Sequence, residues 1–188
     1  ITESRGMDAA QRLLTGFHTL IDRQVEEHGG FITGFMGDGA MILFGLPESS
    51  SDDARNAALC CIKLCEQTEQ WIQSLSTSIG SRIGYKVGAH FGAIVASRLG
   101  GDSHQHITAT GDIVNVASRL MEVAAQNDAC LAFSDVLLDA ADGYYDPEGI
   151  LIGPRRTPVR GRDEALTVWL WRDQGERRQA LTRAEMID

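Results

Sequence analysis

Asp38 is the first residue whose type and position could carry chemistry. It lies between Gly37 and Gly39, where two short apolar runs, residues 31–36 and 40–44, meet in a spacing that predicts a β-hairpin. A carboxylate at such a turn is exposed and fixed in direction, which suits a hard divalent cation. An Asp-Gly pair is also a common turn signal, so by itself the motif is more typical of an ordinary hairpin.

Asn115, Arg119 and Arg160 are the other polar residues of interest. Asn115 and Arg119 are four residues apart in a segment with helical periodicity, so both side chains fall on one face, where an amide and a guanidinium could hold a ribose and a phosphate. Such pairs are also common on solvated helix surfaces. Arg160 is followed by Gly161, which would let its cation approach a phosphate closely, although this pair alone is a weak signal.

The elements that must position these side chains follow from the hydrophobic periodicity. Predicted helices cover residues 7–28, 52–75, 111–128 and 134–140, and predicted strands cover residues 31–36, 40–44, 130–133, 144–152 and 166–171. Further β-like runs lie between residues 82 and 96, and another strand reaches Thr108. Helices interleaved with hairpins predict an α+β fold in which helices cover one face of a mostly antiparallel sheet.

Composition narrows the function classes. A formal net charge of −9 argues against nucleic-acid binding, which depends on clustered Lys and Arg, and no apolar run approaches the roughly 18 residues of a membrane span. One domain is expected over residues 1–172, followed by a charged tail over residues 173–188. The cysteines lack zinc-ligand spacing and are predicted to be reduced core residues in the cytoplasm: Cys60, Cys61, Cys65 and Cys130.

Three stretches, in this order, resemble the class III adenylate and guanylate cyclase catalytic domain of bacterial type. Residues 28–30 (HGG) followed by residues 35–45 (FMGDGAMILFG) are similar to that family's metal-binding hairpin. Residues 111–120 (GDIVNVASRL) are similar to its transition-state helix, and residues 160–162 (RGR) with the strand that follows are similar to its closing strand. The resemblance covers nearly the whole chain and implies the ferredoxin-like, palm-like core of these enzymes.

The resemblance implies an enzyme that converts ATP to 3′,5′-cyclic AMP and pyrophosphate. Two aspartates would hold two divalent metal ions, Mg²⁺ or Mn²⁺. Asp38 matches the second aspartate, and the first belongs to a strand expected upstream of Ile1. Asn115 would orient the ribose, Arg119 would stabilise charge developing on the α-phosphoryl group, and Arg160 would contact the terminal phosphates.

Family members work as head-to-tail dimers, with the metal aspartates on one protomer and the Asn/Arg pair on the other. The resemblance therefore implies a homodimer with two equivalent sites at its interface, and an inactive monomer. Neither nucleic acid nor a membrane is expected as a partner of this domain, although the parent protein could be anchored elsewhere.

Base selection is where the sequence departs from the family pattern. The adenine-selecting lysine usually lies four residues before the hairpin aspartate, a position occupied here by Gly34. Its partner position, commonly Asp or Thr in adenylate cyclases, is Thr108. Thr108 favours ATP, whereas Gly34 leaves GTP open, because a glycine cannot donate a hydrogen bond from a side chain to the purine.

Three alternatives remain open from the sequence. The domain could be a guanylate cyclase, or a degenerate domain that binds nucleotide and regulates a partner without catalysis. Gly34 supports the degenerate reading, while Asp38, Asn115 and Arg119 oppose it. A diguanylate cyclase has a related fold, but the hairpin lacks the Gly-Gly-[Asp/Glu]-Glu-Phe signature of that class.

Overall fold

The computed structural model of the protein describes residues 2–80, 82–99, 106–142, 149–162 and 164–172. The helices are α1 Thr2–Glu27, α2 Asp53–Ser74, α3 Thr77–Gly80, α4 Asp112–Gln126 and α5 Asp135–Ala140. The strands are β1 Phe31–Met36, β2 Gly39–Leu43, β3 Val87–Ala89, β4 Val95–Leu99, β5 His106–Thr110, β6 Leu131–Ser134, β7 Ile152–Thr157 and β8 Leu166–Trp171. The α+β class predicted from the sequence is confirmed.

A four-stranded sheet in the order β3-β6-β8-β7 forms the centre of the domain. β3 and β6 run parallel, whereas β8 runs antiparallel to both β6 and β7. Two antiparallel hairpins, β1-β2 and β4-β5, complete the strands. β1 also lies against β5, so the two hairpins are neighbours.

Helices cover both faces of the central sheet rather than the single face expected. Leu131 and Phe133 of β6 pack into a core cluster with α2 and α5, while the intervening Ala132 packs against α4 with Val168 and Leu170. Neighbouring residues of a strand point to opposite faces, so α4 lies across the sheet from α2 and α5. A strand buried on both faces carries no polar alternation that would reveal this from the sequence.

α1 packs along α2 and supports the first hairpin. Ile21 and Val25 of α1 are buried against Cys60 and Leu64 of α2, and the side chains of β2 complete this cluster. Farther along, the ring of Phe17 stacks on Trp71 with centroids 6.1 Å apart. The helix predicted over residues 7–28 is confirmed, with its start at Thr2. Among the described residues, no helix is both long and apolar enough to cross a bilayer.

Further differences from the prediction concern β7 and α3. The strand expected over residues 144–152 is a strand only from Ile152 within the described residues, and residues 144–148 of that prediction lie outside them. β7 was hidden because Pro154 and two exposed arginines interrupt its apolar pattern. The short helix α3 was not predicted, and the predicted tail over residues 173–188 also lies outside the described residues.

Candidate active site

Asp38 stands at the tip of the first hairpin, as predicted. Met36 pairs with Gly39 across β1 and β2, which leaves Gly37 and Asp38 as the two residues of the turn. Gly37 has a φ of +66°, a left-handed angle that suits glycine. The carboxylate of Asp38 is exposed and forms no hydrogen bond or ion pair with a described residue. It is therefore free to take an external ligand.

A divalent ion would find one suitable ligand at this tip. An exposed, unpaired carboxylate provides the oxygen donor that Mg²⁺ and Mn²⁺ prefer. Within the described ranges, however, no group of three or more His, Cys, Asp or Glu side chains is arranged to hold a metal ion. Asp38 thus fits such a site as one member of a ligand set that the described residues do not complete.

α4 carries Asn115 and Arg119 beside its buried face. Val116, Leu120, Val123 and Ala124 are buried, which fixes the rotation of the helix. Asn115 is left exposed, and Arg119 is half-buried. The guanidinium of Arg119 lies against the backbone of Gly161, where an added Cβ atom would come 3.1 Å from Nη2. The two predicted residues therefore share one helix face, and Arg119 is seated on a glycine.

The segment before β8, residues 158–162, contacts α4 along its length. Arg162 Nη2 lies 3.4 Å from Asp112 Oδ2 in the first turn, and Arg160 Nη2 lies 3.3 Å from Glu122 Oε1 near the other end. The Arg160 side chain is 77% exposed, so this second ion pair is weak and can open toward a phosphate. The pairing of Arg160 with Glu122 was not foreseen from the sequence.

β3 sets the position of α4 through an unusually close approach. A Cβ atom added at Gly88 would collide with the carbonyl oxygen of Ala117 and would lie 2.8 Å from the Met121 nitrogen. Only a residue without a side chain fits between strand and helix there. Asn115 and Arg119 are therefore positioned by the backbone of β3 as well as by the core under α4.

His90 is a residue near this site that sequence reasoning missed. Its Nδ1 atom lies 2.7 Å from Ser134 Oγ, which also accepts a hydrogen bond from Leu137 N as the N-cap of α5. Burial lowers the pKa of His90 below its ordinary value of 6.5, and the nearby charge of Arg162 lowers it further, partly opposed by Asp112. Its place directly after β3, within residues 88–92 (GAHFG), is the only signal the sequence offers.

Gly34 and Thr108 belong to neighbouring hairpins. Gly34 follows a bulge in β1, where the register shifts between Ile32 and Gly34, and an added Cβ atom there would meet nothing within 4 Å. Thr108 of β5 is half-exposed and pairs directly with Ser97 of β4. The space in front of Gly34 is therefore open, whereas Thr108 is partly covered.

The predicted residues fall into three groups in the structure. Asn115, Arg119 and the segment that carries Arg160 meet on α4, while Gly34 and Thr108 lie on the adjacent hairpins. Across the part of the chain that is described, no hydrogen bond or ion pair joins Asp38 to Asn115 or Arg119. The roles predicted for these residues remain predictions.

Comparisons with known proteins concern the family and the fold of the chain. A family model of the adenylate and guanylate cyclase catalytic domain matches residues 2–171. An adenylate cyclase from Anabaena cylindrica is 27% identical over 162 residues, which cover 84% of this chain and 31% of that protein. The chain therefore spans less than a third of the length of this relative.

Two solved structures share the fold. The adenylyl cyclase CyaB from P. aeruginosa superimposes with a TM-score of 0.70 at 20% identity, over 88% of this chain and 83% of that one. The guanylate cyclase domain of RhGC from Catenaria anguillulae, in complex with GTP, gives a TM-score of 0.64 at 22% identity, over 85% and 81%. At these identities the likeness establishes the fold alone.

Proposed function

Because this chain belongs to the adenylate and guanylate cyclase catalytic domain family, we propose that it converts ATP to 3′,5′-cyclic AMP and pyrophosphate. The ribose 3′-oxygen forms a bond to the α-phosphorus, the bond from that phosphorus to the bridging oxygen breaks, and the 3′-hydroxyl proton passes to solvent. The proposal rests on one observation. Asn115 and Arg119 share one face of α4, and the guanidinium of Arg119 lies against Gly161.

Asn115 and Arg119 act on the reacting groups. The exposed amide of Asn115 orients the ribose so that its 3′-hydroxyl faces the phosphorus. The guanidinium of Arg119 offers several N–H donors to the charge that develops on the α-phosphoryl oxygens. Arg160 exchanges its weak contact with Glu122 for the terminal phosphates.

Asp38 is the residue of this chain that would hold a divalent ion, Mg²⁺ or Mn²⁺, with two ions in the complete site. Such ions supply charge neutralisation on the triphosphate and lower the pKa of a bound hydroxyl. We propose that the site is composite, formed by two copies in a head-to-tail homodimer, in keeping with the absence of a hydrogen bond or ion pair from Asp38 to Asn115 or Arg119 among the described residues. A cytoplasmic location is part of this proposal, supported by the nucleoside triphosphate substrate and by four cysteines that form no disulfide.

GTP is the second candidate substrate. The position of the usual lysine is Gly34, and the space in front of it is open, so the residue that would favour adenine through a side-chain donor is missing. This observation favours a guanylate cyclase activity, whereas Thr108 favours ATP.

The test is a product assay on the full natural chain with Mg²⁺ or Mn²⁺ and either ATP or GTP, with nucleotides resolved by chromatography. Cyclic AMP supports the proposal, and cyclic GMP alone moves the protein to the guanylate class. Nucleotide binding without any cyclic product favours a regulatory domain and contradicts catalysis. Asp38→Asn should abolish turnover, while Asp139→Asn, which changes an exposed aspartate on α5, serves as the matched control.

A further inference from the structure

We propose that Ser97 is a second base-reading residue, which forms with Thr108 a pair of hydroxyls that contact the hydrogen-bonding edge of the purine and accept adenine and guanine alike. The inference rests on the proposed function, since a purine subsite exists only in a nucleotide site. It assigns a specificity role to a residue of β4, a strand with no role so far.

The register of the second hairpin places the two hydroxyls together. Ser97 lies directly opposite Thr108 in the antiparallel pairing of β4 and β5. Directly opposed side chains stand on the same face, with Cβ atoms about 4.5–5.5 Å apart. Ala109, the next residue of β5, is buried with 7% of its surface exposed, so Thr108 points to the opposite, outer face. Ser97 must point there too.

Both hydroxyls are available to a ligand. Neither makes a side-chain hydrogen bond to any residue that the structure describes, and both side chains are half-exposed. The neighbouring pair on the same face is Val95 with Thr110, and Val95 is 65% exposed. A hydroxyl that finds no protein partner is free to bond either water or a base.

Gly34 keeps this face uncovered. β1 lies against β5, and a side chain at position 34 would have open space in front of it. A lysine there would add three donors and no acceptor to the surface. With glycine, position 34 contributes no side-chain donor, and Ser97 and Thr108 are the side chains proposed to meet the base.

Hydroxyls suit both purines because each can donate or accept. Adenine presents a ring-nitrogen acceptor beside an amino donor, whereas guanine presents a carbonyl acceptor beside a ring N–H donor. A hydroxyl rotates to match either pattern, so neither base leaves a group unpaired. Strong rejection of one base requires a group that one of them cannot satisfy, and the pair contains none.

The experiment measures binding of 3′-deoxy-ATP and 3′-deoxy-GTP, which lack the attacking hydroxyl, to the full natural chain with Mg²⁺ by calorimetry. The two dissociation constants should lie within about tenfold of each other. Ser97→Ala should weaken both analogues by about five- to tenfold, the loss of one hydrogen bond. Inorganic tripolyphosphate should bind the variant as it binds the wild type, which shows that the fold and the phosphate subsite are intact.

Ser51→Ala, which removes an exposed loop hydroxyl, is the control and should leave both constants unchanged. The inference is overturned if Ser97→Ala changes neither constant, if the two analogues differ by more than about tenfold in the wild type, or if neither binds. Because the analogues cannot cyclise, these outcomes are independent of turnover. A chain that binds both but makes no cyclic product refutes the proposed function and leaves the role of Ser97 standing.

Gly34→Lys provides a second measurement. Its φ is not left-handed and its Cβ atom meets nothing within 4 Å, so the backbone tolerates the change. The added donors match the ring-nitrogen acceptor of adenine and oppose the ring N–H of guanine, so the ratio of the two dissociation constants should shift toward adenine by about tenfold. An unchanged ratio of the two dissociation constants shows that the base does not lie on this face and overturns the inference.

Discussion

Arg119 is held in place by a surface that only glycine provides. Its guanidinium lies against the backbone of Gly161, whose φ of +73° is itself left-handed. A side chain at position 161 would strain this angle and crowd the guanidinium of Arg119. Glycine at this position therefore leaves room for the guanidinium where it lies in the structure.

Asn115→Ala and Arg119→Ala should lower kcat by about 10²- to 10³-fold while changing the dissociation constant of the nucleotide only a few-fold. The reason is that both side chains act mainly on groups whose charge or position changes in the transition state. Steady-state kinetics combined with binding of 3′-deoxy-ATP separates the two quantities. A loss confined to affinity contradicts the assigned roles.

His90 should make stability fall at mildly acidic pH. Its pKa is lower in the folded protein than the ordinary 6.5, so below about pH 6.5 the unfolded chain binds more protons and the free energy of unfolding decreases as pH falls. Above that value the contribution is constant. Urea unfolding at pH 7.5 and 5.5 should show a smaller pH difference for His90→Asn than for the wild type.

His28→Asn is the matched control for this measurement, because the His28 ring likewise makes one hydrogen bond through Nδ1, in this case with the carbonyl oxygen of Gln24. It should retain the wild-type difference between the two pH values. An unchanged pH difference in His90→Asn would show that His90 is not the titrating group.

For individual residues, the sequence predicted where each side chain lies better than which residues it contacts. Asp38 and the pair of Asn115 and Arg119 lie where local patterns placed them, at a hairpin tip and on one helix face. The contacts of Arg160 and His90 could not be predicted, because they join residues 38 and 44 positions apart. Local periodicity carries no information about such pairs.

Among the secondary-structure elements, the packing of α4 against β3 determines the geometry of the site. Gly88 lets the strand approach so closely that the helix backbone occupies the place of a side chain. The buried face of α4, with Val116 and Leu120 fully enclosed, holds the helix from the same side. A helix packed this rigidly transmits any shift of β3 directly to Asn115 and Arg119.

Gly88→Ala should lower the free energy of unfolding by about 2–3 kcal/mol, the cost of overpacking, and should lower kcat together with it. Gly84→Ala is the control: position 84 precedes the same strand, has an ordinary φ and has nothing within 4 Å of an added Cβ atom. That change should be close to neutral. Chemical denaturation of both variants checks the difference, and equal stability of the two would contradict the close approach.

Element boundaries were predictable where the periodicity was unbroken. α2 and α4 begin and end within a residue or two of their predicted limits, since their apolar residues recur at helical spacing. β7 was not predicted because its apolar pattern is broken directly after its first residue by Gly153, Pro154 and the exposed Arg155. Its pairing with β8 determines its structure, and that pairing depends on a distant segment.

At the scale of the whole molecule, the prediction concerns a site shared between two copies of the chain. A composite site predicts that Asp38→Asn and Asn115→Ala, each inactive alone, regain activity when mixed, because a mixed dimer has one site free of both changes. With random exchange about a quarter of the wild-type activity should return. Chromatographic quantification of cyclic AMP after co-incubation tests this, and no recovery at all would place the complete site within one protomer.

The position of β8 in the sheet has a consequence for folding during translation. It is the final strand in the described part of the chain, yet it lies inside the sheet, between β6 and β7, with Val168 and Leu170 fully buried. During synthesis the central sheet therefore lacks the strand that joins β6 to β7 until residues 166–171 are available. Residues 158–162, which include the glycine beside Arg119, come just before β8, so these contacts of α4 can form only late in synthesis.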